Sequence, residues 1–303
     1  MRYLLTILTI LFLLVGCSPK DVAAPSERSL SVLPTAPYTF ITGKTSATSW
    51  GDVYYNGAKI GYGNLPVACG SYVYFIKYHS DFIPPFTPPV TEPVKYNIAT
   101  GTLTSLGAKS SGFDMWNKID ATTDGTYMVG KFSKTYIKKN GSTTTLYYVT
   151  NGELSDDGAY FFYIQSNKAY KMNLATKAKV TVCSIGYGAE VSTNKDGTKA
   201  IIVTSVNGAY KVYTWNGSLS ELGTGYAYYN GVDMDAEGLF VYSANGKIYN
   251  GGALIGTGVH PVIGADGILY GNNGNLVYYD FANCGTTIVA GYATAVQQCA
   301  WGK

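Results

Sequence analysis

The sequence predicts an all-β fold built from a short repeated unit. A glycine that follows an acidic residue recurs before short apolar or aromatic segments, at intervals of 33, 39, 41 and 29 residues; these glycines are Gly125, Gly158, Gly197, Gly238 and Gly267. Tyrosine (28) and glycine (36) are abundant, charged residues make up only 14%, and no long stretch has the apolar spacing of a helix. A strand repeat of this length is typical of the blades of a β-propeller.

The start of the chain is predicted to be an export signal. Met1 and Arg2 precede an apolar run from Leu4 to Val15, which is too short to be a comfortable membrane-spanning helix. The run ends in Leu-Val-Gly-Cys17, which resembles the lipobox of bacterial lipoproteins. That resemblance implies cleavage before Cys17 and acylation of this cysteine, so residues 1–16 are predicted to be a lipoprotein signal peptide. Two or more acyl chains would hold the protein on a membrane without crossing it; an ordinary signal peptide with a chance cysteine is the alternative.

Residues 17–37 are predicted to be the lipidated cysteine and a flexible tether. Ser18 to Pro37 contains four prolines, several serines and mixed charges, with no apolar periodicity. By analogy with Gram-negative lipoproteins, Ser18 in place of Asp after the cysteine favours the outer membrane. The predicted location is the cell envelope, with the protein lipid-anchored, and the outer membrane if the source is Gram-negative.

Composition excludes some partners and leaves the cysteines open. The formal charge is +3, or +2 once Arg2 leaves with the signal, and no basic patch occurs, so nucleic acid is not an expected partner. Four cysteines remain after Cys17 and allow three complete pairings. No CxxC occurs, which argues against a metal site. A Cys284–Cys299 disulfide is preferred because it would lock the end of the chain. The alternative is that Cys69, Cys183, Cys284 and Cys299 are buried free thiols.

A second repeated marker is an Asn or Asp in the turn of a hairpin. Seven such turns are spaced about 37 residues apart on average, at Asn56, Asn97, Asn140, Asn173, Asn216, Asn250 and Asp280. Each repeat therefore reads as strand, DG turn, strand, loop, strand, Asn turn, strand, which makes a four-stranded antiparallel blade. The DG element followed by a "Y-N-x-A-T" hairpin resembles the WD40-like repeat of the TolB family of envelope β-propellers. Residues 38–303 are predicted to be one propeller domain without the separate N-terminal domain of TolB itself.

The predicted number of blades is seven, with six as the alternative. The first Asn hairpin has no DG strand pair ahead of it, whereas the tail "ATAVQQCAWGK" has the pattern of an inner strand. This tail would complete the blade that begins with Tyr38 to Tyr62 and close the ring without a covalent bond.

The paired carboxylates of "LSDDGAYFFY" are interpreted as a turn. Asp157 suits a side-chain-to-backbone hydrogen bond, and Gly158 allows a positive φ before the strand that starts at Tyr160. Equivalent turns at four other places argue against catalysis by Asp156 and Asp157.

Two faces of the propeller are distinguished by their connections. The DG turns and Asn hairpins share one face, here called the turn face, because the strands of a blade alternate in direction. The other connections share the opposite, more variable loop face, where binding residues usually occur. The predicted ligand-binding candidates on the loop face are Trp116, Tyr187, Tyr226, Tyr228, Tyr229 and His260; packing between blades is the alternative. A proline-rich insert at 79–94 is expected to be an extended arm.

A calcium loop is a weaker possibility, and no other cofactor is expected. Asp233, Asp235 and Glu237 before Gly238 approximate the start of such a loop, but Ala244 occupies the twelfth position in place of a bidentate Glu.

The preferred function is a non-catalytic binding scaffold. Only His79 and His260 are present and no G-x-S-x-G element occurs, which argues against a Ser-His-Asp hydrolase. The expected partner is an envelope protein or an extracellular polysaccharide. The alternative is a propeller hydrolase or lactonase that acts on a sugar-like substrate, with Asp114 and Glu190 as its carboxylates.

Overall fold

The computed structural model describes residues 38–43, 50–79, 90–184, 187–206, 209–264, 266–291 and 296–301. Their regular structure consists of 28 strands and one short 3-10 turn, Gly112–Asp114. Every strand pair is antiparallel. The predicted all-β fold is therefore confirmed. Within the described ranges, none of the helical structure is long and apolar enough to cross a bilayer.

The first sheet contains eight strands. They are β1 (Tyr38–Gly43), β2 (Gly51–Tyr55), β3 (Ala58–Cys69), β4 (Tyr72–His79), β5 (Val90–Asn97), β6 (Leu103–Ser105), β7 (Ser110–Ser111) and, from the far end of the chain, β28 (Val296–Trp301). Their order across the sheet is β28-β1-β2-β3-β4-β5-β6, and β7 pairs with β5.

Five further sheets each contain four strands that follow one another in the chain. Sheet 2 comprises β8 (Trp116–Ala121), β9 (Tyr127–Lys131), β10 (Lys134–Lys139) and β11 (Ser142–Tyr147). Sheet 3 comprises β12 (Val149–Leu154), β13 (Tyr160–Gln165), β14 (Lys168–Asn173) and β15 (Lys179–Ser184). Sheet 4 comprises β16 (Tyr187–Thr193), β17 (Ala200–Val206), β18 (Ala209–Trp215) and β19 (Leu219–Tyr226). Sheet 5 comprises β20 (Tyr229–Met234), β21 (Phe240–Ala244), β22 (Lys247–Asn250) and β23 (Ala253–Thr257), and sheet 6 comprises β24 (Val259–Ile263), β25 (Gly267–Asn272), β26 (Asn275–Asp280) and β27 (Gly285–Gly291).

The two ends of the chain meet in the first sheet. β28 pairs with β1, with Tyr38 opposite Trp301 and Phe40 opposite Cys299. This confirms the prediction that the tail supplies the inner strand of the blade that begins at Tyr38. The ring is closed by hydrogen bonds between distant parts of the chain.

The DG segments form the same turn between the first two strands of a sheet. In the turn after β12, Asp157 Oδ1 accepts hydrogen bonds from Ala159 N (2.8 Å) and Ser155 Oγ (2.7 Å), and Gly158 has φ +65°. Asp124 and Asp196 accept the equivalent bonds from Thr126 N and Thr198 N at 2.9 and 3.0 Å. The interpretation of Asp157 as a turn residue is thus confirmed.

The hydrophobic core lies between sheets. Buried side chains from neighbouring sheets form clusters such as Met128 and Ile137 of sheet 2 with Phe161 and Tyr163 of sheet 3. The first sheet contains such a cluster within itself, because Ile41 and Val53 pack against Val73, Phe75 and Val94. Its two halves therefore pack against each other as two blades do. The chain bends from one half to the other within β3, where Leu65 has φ +52°.

The number of blades stays a prediction, and two observations favour seven over six. In the described part of the chain, the inner strands contact their neighbours in a closed cycle of seven: β28, β3, β8, β12, β16, β20, β24 and again β28. Strand β3 pairs with β2, where Gly63 lies opposite Gly51, and with β4, where Cys69 lies opposite Tyr72. It therefore belongs to both halves of the first sheet.

Among the described cysteines, Cys284 is disulfide-bonded, whereas Cys69 and Cys183 form no disulfide. The side chain of Cys299, the predicted partner of Cys284, lies outside the described residues, as do the predicted signal peptide, Cys17, the tether and residues 80–89 of the proline-rich insert.

Candidate functional site

A cavity lies inside the ring of inner strands, towards the turn face. Its volume is about 580 Å³, which is within the usual size of ligand sites. The ends of the inner strands and the first residues of the DG turns line it. Seven acidic side chains and a single lysine, Lys195, belong to this described lining; the acids are Asp120, Glu153, Asp156, Asp157, Asp233, Asp235 and Glu237.

The sequence repeat explains why acids collect there. The residue five positions before each DG glycine lies on an inner strand, and it is Asp120, Glu153, Ser192, Asp233 or Val262. The radial arrangement brings these positions from successive sheets around the same axis. Acidic residues that are far apart in the sequence therefore line the same cavity.

Some of these carboxylates join neighbouring sheets. Asp120 Oδ2 accepts a hydrogen bond of 2.8 Å from Leu154 N, and Asp233 Oδ2 accepts one of 2.9 Å from Ile263 N. An inner strand has an edge without a pairing strand, so its N–H groups need other acceptors. The acids thus satisfy the open edge of the next sheet, and a carboxylate still has lone pairs for a further donor.

Two of the three predicted calcium ligands, Asp233 and Asp235, accept hydrogen bonds from the protein. Asp235 Oδ1 accepts bonds from Glu237 N (3.1 Å) and Leu239 N (2.8 Å), and burial raises the pKa of Asp235. Asp233 bonds Ile263 N and, through Oδ1, Ser192 Oγ (3.3 Å). Among the described residues, no group of three or more His, Cys, Asp or Glu side chains is arranged to hold a metal ion.

A second layer of inner-strand positions lies seven residues before the DG glycines. It consists of Lys118, Asn151, Glu190, Gly231 and His260, four of which have polar side chains. Asn151 Oδ1 accepts a bond of 3.1 Å from Val191 N of the next sheet. Burial lowers the pKa of Lys118 to about 8, and its Nζ donates to Lys131 O at 3.0 Å.

Glu190, the alternative catalytic residue, is an unusual member of this layer. Its Oε2 is fully buried and has no hydrogen-bond partner among the described atoms, although part of the residue reaches the surface. Burial raises the pKa of Glu190 to about 7. The other alternative residue, Asp114, is exposed and forms an ion pair of 2.6 Å with Lys131 Nζ. The side-chain hydrogen bond from Lys131 lowers the pKa of Asp114.

Two of the predicted ligand-binding aromatics are engaged in packing. Trp116 is only 6% exposed, its Nε1 donates to Ala108 O (2.8 Å), and it belongs to the core cluster between sheets 1 and 2. Tyr226 is partly buried, with its hydroxyl 3.4 Å from that of Tyr242. Trp116 therefore lacks the exposure that the predicted role requires.

The remaining candidates differ in exposure. Tyr228 is 50% exposed and lies between sheets 4 and 5. His260 is half-buried at φ +51° and lies against Gly231, and burial lowers its pKa. The side chains of Tyr187 and Tyr229 lie outside the described part of the structure.

Three exposed aromatic residues on the loop face are absent from the sequence-based set. Phe132 occupies the turn between β9 and β10, and Tyr147 and Tyr148 lie where the chain passes from sheet 2 to sheet 3. Their exposed fractions are 68%, 53% and 65%. A tight turn that contains Phe, in "KFSK", is the only signal that the sequence offers, because turns normally carry small or polar residues.

Comparison with known proteins supports the fold. No protein-family model matches the sequence, and no curated protein does. A putative 6-phosphogluconolactonase from Bacteroides fragilis is similar with a TM-score of 0.54 and 13% identity, over 91% of this chain and 99% of that one. The β-propeller domain of the Trilobed protease from Pyrococcus furiosus has a TM-score of 0.55 and 10% identity, over 75% of this chain and 84% of that one. TolB from Acinetobacter baumannii has a TM-score of 0.51 and 13% identity, over 88% of this chain and 67% of that one. At these identities the similarity establishes the β-propeller fold alone.

Proposed function

We propose that this protein is a lipid-anchored cell-envelope scaffold whose propeller binds a cationic segment of an envelope protein without catalysis. The observation that carries the proposal is the cavity of about 580 Å³, whose described lining includes seven acidic residues and one lysine. Like charges gathered in a concave site create a negative potential that attracts cations and raises their local concentration.

The shape and the chemistry of the cavity fit a peptide segment. Lysine and arginine side chains supply several donors, and each can bond carboxylates that already accept a backbone N–H. Because Asp120 and Asp233 are held by the next sheet, they are positioned before any ligand arrives. A preorganised site loses little entropy on binding.

The anchor is the second part of this proposal. Cys17 carries the lipid, residues 18–37 form the tether, and the outer membrane is the location in a Gram-negative source. Replacement of Cys17 by Ser is expected to release the protein from the membrane fraction and to abolish palmitate incorporation. Retention of both would contradict lipidation and leave the cavity proposal intact.

The cavity is tested with a synthetic lysine-rich peptide as the probe. Glu153→Gln with Asp156→Asn removes two of the seven charges and is expected to weaken peptide binding at least tenfold in isothermal titration calorimetry. Asp196→Asn is the matched control, because Asp196 occupies an equivalent turn but does not line the cavity. Equal affinity of the double variant and the control would refute the cavity as the binding site.

Hydrolysis of a sugar-like lactone is the second candidate function. It is favoured by the raised pKa of Glu190, about 7, which suits a general acid or base at neutral pH. This candidate predicts lactone turnover that is lost in Glu190→Gln and in Asp114→Asn. Wild-type protein that hydrolyses a panel of sugar lactones no faster than buffer would eliminate it.

A further inference from the structure

The loop face bears an exposed aromatic patch, defined as Phe132, Tyr147 and Tyr148. Single exposed apolar residues are ordinary, but a cluster of large exposed rings marks an interaction site. Tyr228, at 50%, is the one strongly exposed aromatic residue outside the patch in the described part of the chain, whereas residues such as Tyr163 and Tyr278 are only 1% exposed. Three of the four strongly exposed aromatic residues among those described therefore lie together in the patch.

The patch is held in place by the backbone. Tyr148 N donates a 3.0 Å bond to Ser133 O, so the Tyr147–Tyr148 connection is fixed beside the turn that carries Phe132. Gln165 Nε2 from the next sheet donates a 2.6 Å bond to Tyr147 O. Tyr148 has φ +54°, a conformation that is unfavourable for a bulky L-residue. The fold thus accepts backbone strain at a residue whose ring is in solvent.

The charge around the patch is positive. Lys134 lies opposite Tyr147 across the β10–β11 pair, with its Nζ 5.9 Å from the centre of the ring. Lys168, at the adjoining end of β14, is exposed as well. In the described connections of the loop face the exposed carboxylate is that of Asp114, and Lys131 already neutralises it. Among the described residues of this face, the groups placed next to the patch are therefore lysines and aromatic rings.

We propose that the aromatic patch docks an anionic polysaccharide. The apolar C–H face of a sugar ring stacks on an exposed aromatic ring, whose π face carries partial negative charge. Carboxylate groups on the sugars pair with Lys134 and Lys168, which gives the site its charge preference. This inference rests on the proposed role of the propeller as a binding scaffold, but it uses the face opposite to the acidic cavity. The two sites can therefore succeed or fail separately.

The test measures retardation of the full-length protein in native gels cast with polygalacturonate. Phe132→Ser with Tyr148→Asn removes two rings, and Asn is chosen because it tolerates the positive φ of position 148. This double variant is expected to bind at least tenfold more weakly. Lys134→Gln is expected to weaken binding about twofold to fivefold and to reduce its dependence on salt.

Controls separate the patch from general surface effects. Val180→Ser with Ile288→Ser removes two apolar side chains of similar exposure, 63% and 61%, on outer strands, and should leave retardation unchanged. Thermal melting checks that each variant is folded. Unchanged retardation of the Phe132→Ser/Tyr148→Asn variant, or an equal loss in the control, would overturn the proposal.

Three further outcomes identify what fails. Equal binding of neutral dextran would refute the role of the lysines, and tighter binding of poly-glutamate than of polygalacturonate would replace the polysaccharide by an acidic protein. Wild-type protein that is not retarded would refute the patch as a polysaccharide site. Binding of the lysine-rich peptide is measured on the same samples and reports on the cavity alone. Loss of peptide binding would mean that the proposed function fails, whereas retained peptide binding without retardation by polygalacturonate would mean that only this inference fails.

Discussion

Polar side chains of the inner strands stabilise the ring by accepting hydrogen bonds from the neighbouring sheet. Asp120, Asn151 and Asp233 each accept a backbone N–H of the next sheet, at 2.8, 3.1 and 2.9 Å. A buried N–H without an acceptor costs about 1–3 kcal/mol, so these bonds stabilise the ring as well as placing charge in the cavity. Glu190 occupies the same repeat position as Asn151, yet its Oε2 is buried without a hydrogen bond.

This position makes stability depend on pH. Burial raises the pKa of Glu190 to about 7, so the folded protein holds its proton more tightly than the unfolded chain does. The contribution of protonated Glu190 to the free energy of unfolding is therefore fully present below the ordinary glutamate pKa. It is lost progressively as the pH rises towards and through 7, and the total loss is on the order of 3 kcal/mol. Glu190→Gln is expected to reduce this slope. Urea unfolding at pH 5 and pH 8 measures it, and an unchanged difference between the two pH values in the variant would show that another group titrates.

The turns decide how each sheet is built, and they were the most predictable elements. All seven predicted Asn or Asp hairpins join consecutive paired strands. In five of them the residue has a visible role, since Asn56 and Asn140 adopt positive φ and Asn97, Asn173 and Asp280 accept bonds from backbone N–H groups two residues ahead. The turn between β3 and β4, at Gly70 and Ser71, was missed because it has no acidic residue before its glycine.

The site was less predictable than the fold. Trp116 was expected to be exposed, but it packs between the first two sheets, and Ala108 O in the preceding connection accepts its indole N–H. Phe132 was missed because an aromatic residue between two strands usually belongs to the core. Exposure depends on how neighbouring sheets cover a side chain, and a one-dimensional pattern does not contain that information.

Two turn glycines offer a matched comparison. Gly141 and Gly158 both have positive φ, +75° and +65°, so alanine is strained at either position, by about 1 kcal/mol. A Cβ at position 141 meets open space, whereas at position 158 it would lie 2.7 Å from Asp124 Oδ2. Asp124 cannot move easily, because Thr122, Thr126 and Lys139 bind its carboxylate.

Gly158→Ala is therefore expected to lower the melting temperature more than Gly141→Ala does. The expected difference in the free energy of unfolding is about 1–2 kcal/mol, the usual effect of overpacking. Differential scanning calorimetry of the two variants measures it. Equal losses would mean that the Asp124 turn relaxes, and the repeated turns would then be less rigid than their hydrogen bonds indicate.

For the whole molecule, ring closure depends on one pair of strands. β28 covers the inner edge of β1, and Phe40 of β1 packs against Leu269, Leu276 and Tyr278 of sheet 6. An uncovered strand edge is a template for aggregation.

Deletion of residues 296–303 is expected to open the ring and to expose the edge of β1. The melting temperature should fall by at least 10 °C, and the protein should form oligomers in size-exclusion chromatography. Deletion of residues 302 and 303 alone is the control and should behave as wild type. A monomer of unchanged stability after the longer deletion would show that β28 contributes nothing to closure.

The same closure fixes the side of the ring from which the proposed tether leaves. Tyr38 starts β1 beside the Asn56 hairpin, since Tyr38 N donates to Asn56 Oδ1 and Asn56 N donates to Tyr38 O, both at 3.0 Å. The tether therefore departs from the turn face, where the acidic cavity opens. Twenty residues span at most about 70 Å and on average about 25 Å, so in the proposed anchored state we expect the turn face to lie nearer the bilayer and the aromatic patch to point away from it.

This orientation predicts different distances from the membrane for the two faces. In lipid-anchored protein on vesicles, a donor dye on Asn140→Cys at the turn face should transfer energy to a headgroup acceptor more efficiently than a dye on Asn273→Cys at the loop face. Unmodified protein treated with the dye corrects for labelling of the Cys69 and Cys183 thiols, of which Cys183 reacts slowly because burial raises its pKa to about 11. Equal or reversed efficiencies would mean that the propeller turns freely on its tether or faces the membrane with its loops, and the polysaccharide would then have to reach the patch from the bilayer side.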